Sequence, residues 1–213
     1  MFQDRNDAGM QLAENLKMYK DDLDSIVFAI PRGGVIIADV VCDKLNLPMD
    51  IVVTKKIGAP YNEELAIGAV DTKGGKILNH NAINMLRVSE DYIEKEAGRK
   101  AEEARARLKK YRGTDKYDVL SGKNAIVVDD GIATGFTVIS AINFLKELEP
   151  KKLILGTPVI APDTRTEIKK LVDELICVIS KEPFYAVGQF YKKFTQVSDF
   201  EVMNVLAKRV VPK

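Results

Sequence analysis

The chain's 213 residues are 46% apolar and 30% charged, the proportions of an ordinary globular protein, which excludes a disordered or fibrous polymer. Its 32 Lys and Arg against 31 Asp and Glu leave a formal charge of +1, so no global field draws it to nucleic acid or an anionic membrane; neither partner is expected, and any anion site must be local. A chain of this size buries about 70% of its unfolded surface, enough for one sizeable core, and a single domain over residues 1–213 is the expectation.

The N-terminus (MFQDRNDAGM) carries charges where a signal peptide needs an apolar stretch, and no later apolar run is long enough to span a membrane, so a cytoplasmic protein is expected. Asp7 to Tyr19 places Met10, Leu12, Leu16 and Tyr19 on an amphipathic helix that could cover a sheet or join a lid. Ser25 to Ile30 reads as a strand, Gly33 to Leu45 as a helix with Val35, Ile36, Val40 and Val41, and Asp50 to Thr54 as a second strand. From about residue 56 to 112 the alternation breaks into a glycine-containing loop and then a highly charged helix. Ser89 would cap that helix, with Glu90 and Asp91 in its first turn. Six acids and eight bases between Glu90 and Arg112 read as a solvated face laced with i,i+4 pairs.

Strand and helix then resume: strands at Asn124 to Val128, Lys152 to Ile160 and Leu175 to Ile179, helices at Phe136 to Leu148 and Pro162 to Val172. Cys42 and Cys177 have no CxxC or histidine-rich company, which argues against a disulfide framework or structural zinc and for two core thiols. The tail, residues 181–213, holds six of the chain's 15 aromatics: Phe184, Tyr185, Phe190, Tyr191, Phe194 and Phe200. A solvated linker would not carry that density, so the tail must pack on something.

The expected fold is therefore α/β: a central parallel sheet of about five strands with helices on both faces, within a core of about residues 25–180. The strands are continuous apolar runs, as suits burial on both faces. Right-handed crossovers place ligand-binding loops beyond the carboxyl ends of the strands.

The most informative stretch is Asn124 to Thr137, NAIVVDDGIATGFT: a buried strand, two carboxylates at its end, then a loop of small residues opening a helix. Asp129 and Asp130 can accept hydrogen bonds from a vicinal diol. Gly131, Ile132, Ala133, Thr134, Gly135, Phe136 and Thr137 offer backbone amides and hydroxyls to a phosphate at the helix N-terminus. A sugar with neighbouring hydroxyls and a terminal phosphate, such as ribose 5-phosphate, fits. The absence of GxxxxGK[ST] and GxGxxG argues against the usual ways of holding ATP or NAD. Ile30 to Gly34 (IPRGG) forms a second glycine-rich strand-to-helix junction, where Pro31, Arg32, Gly33 and Gly34 could hold another anion. Lys55 and Lys56 follow the next strand and could neutralise it.

This set closely resembles the phosphoribosyl diphosphate (PRPP) binding motif of type I phosphoribosyltransferases. The combination PRGGV, KKIGAPYNEELAIGAV, VVDDGIATG, APDT and EPFYAVGQFYKKFTQVSD, over about Ile26 to Val202, is similar to a subgroup of predicted phosphoribosyltransferases with no settled acceptor. The resemblance implies that Asp129 and Asp130 bind the ribose hydroxyls, that residues 133–137 form the 5-phosphate loop, and that the Arg32 loop binds pyrophosphate, often through a cis non-proline peptide. It implies a mobile loop from Gly58 and Pro60 that closes over PRPP, and a hood in which Phe184 and Tyr185 stack on a flat base. Ala133 stands where some members carry an acidic residue acting near a purine.

By this resemblance the expected function is transfer of 5-phosphoribosyl from PRPP to a nitrogenous base, a purine being mildly favoured, with Mg²⁺ bound mainly through PRPP and no metal site on the protein. The alternative is a non-catalytic PRPP- or nucleotide-binding regulator. A PRPP synthase fits poorly, since no ATP-recognition loop is found. A homodimer is compatible with the family. His80, the lone histidine, reads as a helix-start or loop residue, and Glu63 and Glu64 as a solvated loop face, as contacts to metal-bound pyrophosphate or as a base.

Overall fold

The computed structural model describes residues 1–209. In chain order it contains α1 (Arg5–Asn15), β1 (Ser25–Ala29), α2 (Gly33–Leu45), β2 (Met49–Ile51), β3 (Thr54–Ala59), β4 (Asn62–Asp71) and β5 (Lys76–Leu78). Then follow α3 (His80–Leu86), α4 (Glu90–Arg112), β6 (Asn124–Val128), α5 (Phe136–Lys146), β7 (Lys152–Val159), α6 (Pro162–Ile168), β8 (Glu174–Ile179) and α7 (Asp199–Arg209). Short 3₁₀ turns lie at Lys17–Tyr19 and Val187–Phe190. The last four residues of the expected tail, 210–213, lie outside the described residues.

Five strands form one parallel sheet in the order β2-β1-β6-β7-β8. β1, β6 and β7 are largely buried on both faces, which explains their continuous apolar runs, whereas the edge strand β8 is half-buried. Val27 and Ala29 of β1, with Ile126 and Val128 of β6, face a core completed by α1, α2 and α7. Phe28, Ala125 and Val127 face the opposite core, with Val138, Ile142 and Leu145 of α5 and Ile168 of α6. The helices therefore cover both faces, as the alternation predicted. The N-terminal amphipathic segment takes the sheet-covering role: Leu12 and Leu16 are fully buried and Tyr19 nearly so, whereas Met10 stays 45% exposed.

The region 56–112 departs from the expectation. Instead of one long mobile loop, residues 54–78 form a second, antiparallel sheet in the order β3-β4-β5, and the connection at the expected Gly58–Pro60 start narrows to a tight turn between Ala59 and Asn62. The expected strand over 50–54 accordingly splits, its first part pairing with β1 and Thr54 beginning the new sheet. The physical reason is a third core: Ile57, Ala59, Ile67 and Val70 bury against Ile93, Ala97 and Ala101 of α4. Ser89 caps α4 by accepting from the Tyr92 amide at 3.3 Å, and Tyr92 donates its hydroxyl to the Gly58 carbonyl at 3.1 Å.

The far end of α4 is clamped to the main sheet. Arg112 donates to both carboxylate oxygens of Asp50, from Nε at 2.8 Å and from a terminal nitrogen at 2.9 Å, and lies 4.5 Å over the Tyr117 ring. With its side chain only 9% exposed, this fork is little screened. Arg112→Ala should lower the unfolding free energy by about 2 kcal/mol. Arg112→Lys should recover only part of it, since a single ammonium does not reproduce the planar fork. Urea unfolding with unchanged midpoints would refute this anchoring.

Candidate active site

A cavity of about 620 Å³ opens at the carboxyl edge of the parallel sheet. Two strand-end loops, placed where parallel strands meet their crossover helices, and the first residues of β3 converge on it.

The first loop follows β6. Asp129 and Asp130 are half-buried at its start, and the Asp130 amide donates to Asp129 Oδ1 at 2.9 Å. Burial, together with the charge of Asp130, pushes the Asp129 carboxyl well above the usual carboxylate range. Burial also raises Asp130, opposed by the guanidinium of Arg5, which donates from Nε to Asp130 Oδ2 at 2.8 Å. The loop is held rigidly on its far side. The Ile132 amide donates to the Val159 carbonyl and the Ala161 amide to that of Ile132, both at 2.9 Å, while Thr164 donates its hydroxyl to the Ala133 carbonyl at 2.5 Å. Gly135 adopts φ of +78° before α5 opens, and a Cβ there would lie 2.7 Å from Thr164 Cγ2, so glycine is required.

The second loop follows β1 and contains a cis peptide between Pro31 and Arg32. Arg32 lies 3.7 Å from Asp199 of α7, whose carboxylate also accepts from Lys110 at 2.6 Å and from the Tyr111 hydroxyl at 2.5 Å. Those hydrogen bonds, Lys110 first, hold Asp199 down at about 2. Gly34 presses on the end of β6: a Cβ there would meet the Val128 carbonyl oxygen at 2.7 Å.

The third contribution comes from β3, where Thr54, Lys55 and Lys56 line the cavity. Lys55 pairs with Glu103 of α4 at 3.1 Å, and Thr54 donates to the Thr137 carbonyl at 3.1 Å. The arrangement thus has two carboxylates, a loop of small residues leading into a helix N-terminus, and a basic wall around one cavity.

A model of the phosphoribosyl transferase domain matches residues 3–194, nearly the whole chain. The chain belongs to the phosphoribosyl transferase family. A Mycobacterium tuberculosis protein provisionally named a phosphoribosyl transferase is 35% identical over 207 residues, covering 97% of this chain. That match takes in only 46% of the relative, so the chain spans about half the length of the curated proteins it resembles. The crystal structure of TT1426 from Thermus thermophilus superposes with a TM-score of 0.79 at 33% identity, over 98% of each chain. A Neisseria gonorrhoeae protein solved with bound ppGpp shares the fold at a TM-score of 0.51 and 16% identity, over 98% of this chain and 97% of that one.

Against this family background, the sequence-predicted residues divide. Pro31, Arg32, Gly33, Lys55, Lys56, Asp129, Asp130, Gly131, Ile132, Ala133, Thr134, Gly135 and Thr137 all line the one cavity. Gly34 and Phe136 do not; Gly34 acts behind the wall through its contact with β6. Phe184 and Tyr185, expected over a flat base, are not brought to the cavity. Phe184 packs on Phe190 with ring centroids 5.1 Å apart, and Tyr185 is 84% exposed. The tail residue that does reach the cavity is Val187, whose side chain sits against Gly131. Glu63 lines the cavity mouth, and exposed His80 begins α3, away from it.

Several contributors lie beyond the motifs. Lys100 and Arg107 project from α4 into the cavity wall, a use the charge pattern of that helix did not signal. Their spacing of seven puts them on one helix face, a pattern also expected of ordinary solvated pairs. Arg5 and Asp199 engage the site from opposite ends of the chain.

Proposed function

We propose that this phosphoribosyl transferase moves the 5-phosphoribosyl group of PRPP to a nitrogenous base and releases pyrophosphate. One observation carries this reading: the Asp129–Asp130 pair, the 131–137 loop and the Arg32 loop share one cavity of about 620 Å³, with Lys55 and Lys56 on its wall. The loop leading into α5 would take the 5-phosphate on its amides and on Thr134 and Thr137. The carboxylates would take the 2- and 3-hydroxyls, and the cis Pro31–Arg32 junction with Lys56 would take pyrophosphate.

Among the described residues no three carboxylate, histidine or cysteine side chains converge to hold a metal. Mg²⁺ would enter chelated by PRPP, as part of the substrate.

The reaction breaks the C1–O bond to pyrophosphate and forms a C1–N bond to the base. Arg32, Lys56 and the α4 cations would stabilise the departing charge, while the Asp pair would balance positive charge growing on the ribose. Ile132 and Val187 offer an apolar wall to a flat acceptor, and a purine is the acceptor to test first.

The test is Mg²⁺-dependent pyrophosphate release from PRPP with each candidate base added separately. Release that requires one base names the acceptor. PRPP binding without release under any base would support a regulatory PRPP-binding protein instead, and no binding at all would overturn both readings.

A further inference from the structure

The Asp-Asp loop is held from a direction its motif does not contain. Arg5, the first residue of α1, reaches across to Asp130 and places Nε 2.8 Å from Oδ2, with its own side chain only 10% exposed. Its NH1 donates to the Thr195 carbonyl at 2.7 Å, and the guanidinium lies 4.0 Å from the centre of the Phe194 ring. Phe194 in turn packs on Tyr191, centroids 4.8 Å apart, and the Tyr191 hydroxyl donates to the Asp130 carbonyl at 2.5 Å. Both polar ends of Asp130, carboxylate and carbonyl, are thus tied to the hood built from the two chain termini.

A cation in the first turn of a helix opposes the helix dipole, so α1 gains nothing from an arginine at this position. The side chain's surroundings explain it instead: it faces one of two adjacent carboxylates that burial pushes toward protonation, Asp129 being raised further by the charge of Asp130. Other groups bear on this cluster: Lys56 of β3 acts on Asp129, the Tyr191 hydroxyl feels the charge of both carboxylates, and the charges of Glu201 of α7 and Arg5 act on each other.

We infer that Arg5 is a positioning residue for the proposed reaction: it fixes the Asp130 carboxylate so that its remaining acceptor capacity meets a ribose hydroxyl, and it makes docking of the hood a condition of a competent ribose site. The inference rests on the PRPP reading for its substrate but not for its electrostatics. With Arg5 present, Asp130 keeps its negative charge to lower pH; without it, the proton is retained to higher pH and the ribose meets a neutral acid.

The experiment compares the full chain with its Arg5→Gln and Arg5→Lys variants by calorimetric binding of Mg²⁺ and PRPP from pH 5 to 9, alongside carbon-13 NMR titration of the Asp130 carboxyl without ligand. Arg5→Gln should weaken PRPP binding about tenfold at neutral pH, the scale of one charge-assisted hydrogen bond. It should also move both the acid limb of binding and the Asp130 titration midpoint upward, and Arg5→Lys should restore most of each. An unmoved Asp130 midpoint in Arg5→Gln overturns the inference. So does a loss of binding that is equal at every pH and equal in Arg5→Lys, which would mark Arg5 as mere packing for Phe194. If the unaltered protein binds no PRPP, the proposed function fails, yet the ligand-free titration still decides what Arg5 does to Asp130.

Discussion

Asp129→Asn and Asp130→Asn should each lower base-dependent pyrophosphate release by well over tenfold, a loss of more than about 1.4 kcal/mol of transition-state stabilisation. The amide is nearly isosteric, and in Asp129→Asn the side-chain oxygen can still accept the 2.9 Å hydrogen bond from the residue-130 amide. What disappears is charge opposite a ribose ring that becomes positive as pyrophosphate departs. Stability should move the other way for Asp129. Its carboxyl is raised well above the ordinary range in the folded protein by burial and by Asp130, so the fold is penalised wherever the unfolded chain would ionise and the native state resists. The penalty is present at neutral pH and vanishes below about pH 4, where the group is protonated in both states. Asp129→Asn should therefore be more stable than the parent at pH 7, with the gain closing as pH falls toward 4. Thermal melts paired with turnover at several pH values check both signs. Full activity in both variants would remove these carboxylates from the mechanism.

Residues that combine a stability cost with lost activity on replacement mark a site shaped for function rather than for folding. Their recognition from sequence alone depended on locality. β1, β6 and β7 were legible because strands buried on both faces leave unbroken apolar runs, the half-buried edge strand β8 because its run is apolar as well, and α2 because Gly33 opens it beside a strand end. The Asp129–Thr137 loop was legible because its carboxylates, glycines and threonines act within one continuous stretch. β3 to β5 were not, because Lys55, Lys56, Gly58 and Pro60 obscure a period of two whose apolar face is satisfied by the distant α4, with Ala82 and Ile83 of α3 beside it. Arg5 left no signal, since its partner stands 125 positions away and nothing around it in the sequence demands a carboxylate. The tail's aromatic density did announce packing, but against the N-terminus: Phe2 and Tyr191 approach to 5.2 Å between ring centroids and exchange ladder contacts. Val187 reaches the cavity in place of the aromatics.

Gly34→Ala separates geometry from charge at the same site, and it should cost about a hundredfold in turnover. The added Cβ would lie 2.7 Å from the Val128 carbonyl oxygen and 3.0 Å from Asp129 Cα. Both are backbone atoms at the end of a central strand and cannot swing aside as a side-chain tip would. The strain must therefore be relieved by moving the N-terminus of α2, and with it Arg32 and the cis junction, away from the Asp pair. A displacement approaching 1 Å between a positioning loop and the reacting atoms is enough for a hundredfold loss. No ionisable group changes, so the pH profile of the residual activity should keep the parent's shape. Overpacking should lower stability by about 1 to 3 kcal/mol, opposite in sign to Asp129→Asn. Gly34→Ala with parental turnover, or with a loss confined to stability, would mean that the Arg32 loop does not need its close seat on β6. The pyrophosphate would then have to be held chiefly by the lysines of β3 and the cations of α4.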